Sequence, residues 1–114
     1  MRFGEILKTQ EAEGKEKHVP VIEIKKCAEC GEETVQITVG KEVPHPNTVE
    51  HHIKWIELFG MKQTGQIVHL GTFDLGPVYV SPKVIAHVKL SEFKRLFALE
   101  YCSIHGIWEN SIEV

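Results

Sequence analysis

The chain has 114 residues, room for one domain built on one core, and its 42% hydrophobic and 25% charged content is that of an ordinary globular protein. A net charge of −3 offers no basic footprint for nucleic acid or an anionic membrane surface. No apolar run nears the ~20 residues that span a bilayer, and the stretch from Met1 to Glu16 has no signal-peptide core, so a cytoplasmic protein without nucleic-acid or membrane partners is expected.

In chain order, Phe3 to Thr9 predicts a short helix or turn with Phe3, Ile6 and Leu7 on one face. A charged loop with Gly14 follows. The segment Glu16-Lys17-His18-Val19-Pro20 leads into a first strand ending near Ile24. Lys25 to Glu33 is a polar turn carrying Cys27 and Cys30. Thr34 to Val39 alternates, with Val35, Ile37 and Val39 on one face, as a half-buried strand does. Gly40 to Thr48 is a loop punctuated by Pro44 and Pro46. His51 to Phe59 is rich in β-formers, Gly60 to Gly65 makes a turn, and Gln66 to Phe73 is a strand with Gly71 as a bulge site. Asp74 to Pro82 is a connection around a short β piece, Val78-Tyr79-Val80. Val84 to Leu90 alternates again. Ser91 to Lys94 turns, Arg95 to Tyr101 is a strand that delivers Cys102, and Ile107 to Val114 is a terminal strand. About seven short strands at roughly 8–15 residue spacing predict a single all-β sandwich or barrel over residues 1–114.

Seven histidines are many for this length, and three cysteines are too few for a secreted disulfide framework. Cys102 and His105 lie three residues apart at the end of a strand, a compact soft-metal handle that zinc, copper and iron all accept. His18, His45 and His51 also sit at element boundaries, where loops carry sites. Each alone reads as a solvated side chain; together with Cys102 they form a candidate set of five donors. His52, adjacent to His51, points the other way if the segment is extended. His69 and His87 fall mid-strand, and all three take a structural reading. Five donors exceed the four of structural zinc, and a blue-copper site wants an axial Met where this chain has Asn110. Five ligands with one position left open suit a redox iron. A cupredoxin-like electron-transfer protein and a zinc-stabilised binding module remain the alternatives.

Three segments taken together, Glu16-Lys17-His18-Val19-Pro20, then His45-Pro46-Asn47-Thr48-Val49-Glu50-His51-His52-Ile53, then Cys102-Ser103-Ile104-His105-Gly106, resemble the superoxide reductase family of neelaredoxin and desulfoferrodoxin. The resemblance runs from about Phe3 to Glu109. It implies an immunoglobulin-like β-sandwich and one mononuclear iron per chain cycling between Fe2+ and Fe3+. His18, His45, His51 and His105 would be equatorial and Cys102 axial. The implied reaction is the one-electron reduction of superoxide to hydrogen peroxide. Glu16 would occupy the sixth position in the ferric state. Lys17 would attract the anion and help position a proton, and rubredoxin or a similar carrier would supply electrons. Two-iron members carry an N-terminal domain with four cysteines; three cysteines here point to the one-iron type, expected as a homo-oligomer with a tetramer among its forms. Backbone N–H groups of Ile104 and His105 are placed to bond the Cys102 sulfur and temper its donation.

The Cys27-Ala28-Glu29-Cys30-Gly31 knuckle is not required by that chemistry. It reads as half of a metal site shared between subunits, as a disulfide, or as free thiols in an exposed turn.

Overall fold

The computed structural model describes residues 1–14, 17–26 and 32–114. Glu16 and the Cys27/Cys30 knuckle lie outside the described residues. Among those described, seven strands appear: β1 Val21–Lys26, β2 Glu33–Thr38, β3 Ile53–Lys62, β4 Ile67–Asp74, β5 Lys83–Val88, β6 Phe93–Cys102 and β7 Gly106–Glu113. They form two antiparallel sheets, ordered β1-β2-β5 and β4-β3-β6-β7. Of the sandwich or barrel that the alternating sequence predicts, this is the sandwich, and it agrees with the immunoglobulin-like form that the resemblance implies. No helix is long and apolar enough to cross a membrane.

Alternation decides what each strand buries. Val35 and Ile37 of β2, with Val39 just beyond it, are almost wholly inside, as are Ile56 and Leu58 of β3 and Leu96 and Ala98 of β6. These side chains from the two sheets belong to one cluster between the layers. A fully buried Leu or Ile contributes about 1.5–3 kcal/mol, so this shared interior is what keeps the sheets stacked. The strand pairing slips by one residue at Leu58/Phe59, where Leu58 faces Gly71 and Phe59 faces His69; the bulge expected at Gly71 is there.

Two local expectations are corrected and a third is made specific. The short helix or turn expected at Phe3 to Thr9 is a 3-10 turn at Phe3–Glu5, followed by a second at Gln10–Ala12, with Phe3 and Ile6 exposed. Too few residues recur at helical spacing to nucleate a longer helix. The Val78-Tyr79-Val80 piece is a turn, with Val78 at φ 75. Its three residues have a β composition, but Asn47 takes up their backbone groups: Nδ2 donates to the carbonyls of Val78 and Val80, and the Val78 N–H donates to Oδ1. Finally, β3 runs to Lys62, beyond the turn expected from Gly60, because Gly60 lies flat under the Phe93 ring, where a Cβ would meet it at 2.7 Å.

The fold places the ends of several elements together. The loop before β1, the long β2–β3 loop, the last residue of β6 and the β6–β7 turn all fall at one end of the sandwich, and they carry His18, His45, His51, Cys102 and His105.

Candidate metal centre

Cys102 closes β6 on the inward side of its alternation, next in line after Leu96, Ala98 and Glu100, and is fully buried. It pairs with Gly106 across a three-residue turn, Ser103 to His105. Gly106 has φ 86, the left-handed conformation that such a hairpin turn needs and that glycine adopts without strain. The turn folds His105 back over the strand end. Its N–H donates to Cys102 Sγ at 3.4 Å, and its Nδ1 lies 3.7 Å from that sulfur.

His45 arrives on the β2–β3 loop. Gly40 makes this possible: it sits at φ 78, and a Cβ there would lie 2.5 Å from the His45 backbone nitrogen. Pro44 and Pro46 restrict the backbone on either side. The His45 Nδ1–H donates to the Pro46 carbonyl at 2.7 Å, because a carbonyl can only accept. That fixes the tautomer and leaves Nε2 as the donor atom, 3.6 Å from Cys102 Sγ. His51 follows in a bend held by its N–H to Thr48 Oγ1 at 3.0 Å. His18 is set by Glu13, whose Oε2 accepts from the N–H groups of both His18 and Val19 at 2.8 Å. The His18 ring stacks on Trp108, with centroids 4.6 Å apart and planes 11° from parallel.

The four rings form a closed cycle. Centroid separations are 4.8 Å for His18–His45, 4.8 Å for His45–His51, 5.1 Å for His51–His105 and 4.9 Å for His105–His18, all edge-on. His45 and His105 are therefore opposite corners, and Cys102 Sγ is nearly equidistant from the two, at 3.6 Å from His45 Nε2 and 3.7 Å from His105 Nδ1. The donor atoms of His18, His51, Cys102 and His105 lie within 4.8 Å of one another. Burial is uneven: His18, His45 and Cys102 are buried, whereas His51 and His105 are half-buried. One side of the cluster is thus sealed by the core and another reaches solvent.

The donor set suits a metal between borderline and soft, and five donors exceed what structural zinc takes. Position 110 offers no copper axial ligand: Asn110 Nδ2 donates to the Pro20 carbonyl at 2.9 Å.

Lys17 is half-buried and lines a hollow of ≈ 330 Å³ with Glu13, Lys41 and Asn110. His52 turns away from the cluster, but not through strand alternation, since β3 begins only at Ile53. Its ring bonds the Thr48 carbonyl, and its N–H donates to Ser103 Oγ, tying the His51 bend to the Cys102 turn. His69 lies on β4 beside Glu57, away from the cluster.

Several residues that hold the site carry no sequence signal of their own. Lys8 Nζ and Trp108 Nε1 both donate to the His105 carbonyl, at 2.8 and 3.2 Å. They meet because the N-terminal segment bridges β7 at Lys8 and Trp108. Glu100 is fully buried, and burial, with the nearby charge of Glu13 adding to it, pushes its carboxyl up to about 9. Counting back by two from Cys102 along β6 would have placed it inside.

An antiparallel sandwich that gathers four imidazoles around one buried thiolate defines a mononuclear His/Cys metalloprotein. Residues 10–111 match the sequence model of the Desulfoferrodoxin family. A superoxide reductase of Pyrococcus horikoshii is 42% identical over 103 residues, covering 87% of this chain and 88% of that protein. A putative superoxide reductase of Thermotoga maritima is 39% identical, covering 100% and 97%. The solved superoxide reductase (neelaredoxin) of Ignicoccus hospitalis superposes with a TM-score of 0.86 at 35% identity, covering 100% of this chain and 98% of that one. The chain belongs to the desulfoferrodoxin family, which binds iron, and the His/Cys cluster is able to hold such an ion.

Proposed function

We propose that this protein is a superoxide reductase, in which His18, His45, His51, His105 and Cys102 would hold one iron. The observation that carries the reading is the closed cycle of four imidazoles about the Cys102 sulfur. The reaction takes one superoxide, one electron and two protons to one hydrogen peroxide. When bound, iron would supply the one-electron couple and bind the anion.

The residues of the chain supply the rest. The buried Cys102 sulfur accepts from the His105 N–H, which would temper its donation to the metal. Trp108 and Glu13 hold the His18 ring, and the Pro46 carbonyl holds that of His45. Lys17, beside His18, provides the positive charge that draws an anion toward a chain of net charge −3. Glu16 supplies the oxygen ligand that a ferric ion favours. The half-buried edges of His51 and His105 give electrons a route in from a small carrier such as rubredoxin. A homo-oligomeric assembly belongs to the same reading.

The test is metal content with product analysis. One iron per chain and superoxide consumption without dioxygen release are expected. Dioxygen in stoichiometric amounts would mean dismutation instead, and copper in place of iron with no superoxide reaction would return the cupredoxin reading.

A further inference from the structure

The N-terminal segment lies outside both sheets and pairs with β7 through Lys8, in a parallel bridge to Trp108. The Lys8 N–H donates to the Ile107 carbonyl at 3.1 Å, and the Glu109 N–H donates to the Lys8 carbonyl at 2.9 Å. That bridge lays the Lys8 side chain over two supports of the metal cluster. Its Nζ donates to the His105 carbonyl at 2.8 Å and lies 5.4 Å from the centre of the Trp108 ring. The same indole stacks on the His18 ring and gives its own N–H to the same His105 carbonyl. One ammonium thus bears on His105 directly and on His18 through the ring that supports it. These two are adjacent corners of the imidazole cycle.

We propose that Lys8 is a positioning residue of the metal centre whose positive charge raises the reduction potential of iron held there, and that its docking tightens when the centre is reduced. The inference rests on the iron-binding part of the reading above.

Charge gives the sign. Taking up one electron removes one positive charge from the centre, so a fixed cation beside it is repelled less by the reduced state and favours that state. The partners of the ammonium are a carbonyl oxygen and a ring face, and neither cancels its charge. Among the described residues no carboxylate pairs with it. Glu5, near it in sequence, pairs with Arg2, and Glu109 lines the hollow beside Phe97 on the outer face of the sheet. Lys17, by contrast, shares its hollow with the carboxylates of Glu13 and Glu42. Lys8 is exposed, so water and salt screen it and the effect is modest. A coupling of this kind acts both ways: whatever docking does for reduction, reduction does for docking.

A charge series at position 8 of the iron-loaded protein tests this by redox titration. Lys8→Met should lower the ferrous-to-ferric ratio at the wild-type midpoint about threefold, a shift of about 28 mV at 59 mV per tenfold. Lys8→Glu should about double that shift. Lys8→Arg, which keeps both charge and donor, should restore the wild-type value. Met and Glu both lose the bond to His105, so a merely structural role would move the two equally. In the wild type, hydrogen exchange at the Lys8 and Glu109 amides should be about threefold slower in the ferrous than in the ferric protein. That signal needs no variant to fold. A wild-type potential in Lys8→Met, or equal potentials in the Met and Glu variants, would overturn the tuning role and leave the superoxide reaction standing. Equal exchange in the two oxidation states would overturn the reciprocal docking. A protein that takes up no iron would overturn this inference and the iron-binding reading together. One that shows the charge series but consumes no superoxide would support Lys8 and overturn only the reaction.

Discussion

Glu100 is a carboxyl held in the interior at the back of the metal centre, two residues before Cys102 on the same side of β6. Its ionisation lies near 9 in the folded chain against about 4.5 when exposed. The folded protein therefore keeps a proton that the unfolded chain releases above pH 4.5, and stability must fall as pH rises from there, levelling above about 9. Between pH 4.5 and 7 the loss is on the order of 3 kcal/mol. Glu100→Gln, neutral at every pH, should melt higher than wild type at pH 8, and the difference between the two melting curves should vanish toward pH 4.5. Equal melting points at pH 8 would refute the account. Glu13 acts at the same scale. Its carboxylate satisfies two backbone N–H groups at once, so Glu13→Ala leaves both without their acceptor and should cost about 2–4 kcal/mol. Because one of them is that of His18, iron should also be lost faster to a chelator.

At the scale of elements, two turns do most of the placing. The β6–β7 hairpin presents Cys102 and His105 together, and the β2–β3 loop carries His45 and His51 across from the other sheet. The loop depends on Gly40, where backbone conformation and space both exclude a side chain. Gly40→Ala should leave the sandwich folded, with its strands and far-ultraviolet circular dichroism intact. Iron content should fall to well below one per chain, because the strain of about 1–3 kcal/mol is relieved by moving His45. Full iron occupancy in that variant would show that the loop reaches the site by another route. The Ser103 and His52 clamp, which ties loop to hairpin, carries no metal donor and is where the two elements are registered.

The whole molecule carries a net negative charge and must still collect an anion. Local charge has to outweigh the global one, and Lys17 is the cation beside the site in sequence. Lys17→Ile should lower the second-order rate with superoxide by about tenfold and reverse its response to salt. The wild-type rate falls as ionic strength screens the attraction, whereas the variant rate rises as salt screens the remaining repulsion. An unchanged rate with an unchanged salt response would remove Lys17 from the steering role. Laser-flash or pulse kinetics at several ionic strengths measures both.

The sequence by itself determined an all-β domain, sandwich or barrel, because alternation at Val35, Ile37 and Val39, or at Leu96, Ala98 and Cys102, records which side faces the core; the two-sheet arrangement came from the tertiary structure. It also determined the donor types and their order along the chain, since a thiolate and imidazoles are chemical facts of residue identity. It misjudged Val78–Val80, where three residues carry too little periodicity to outvote tertiary hydrogen bonds. Only the tertiary structure decided which imidazoles stand opposite one another, that the sulfur lies midway between His45 and His105, and that Lys8, Glu13 and Trp108 support them. Cys102 and His105 meet within one turn and could be read locally. His18 and His45 reach them only when strands far apart in the chain pair and stack, and the angle at which they arrive is set by packing that no single segment encodes.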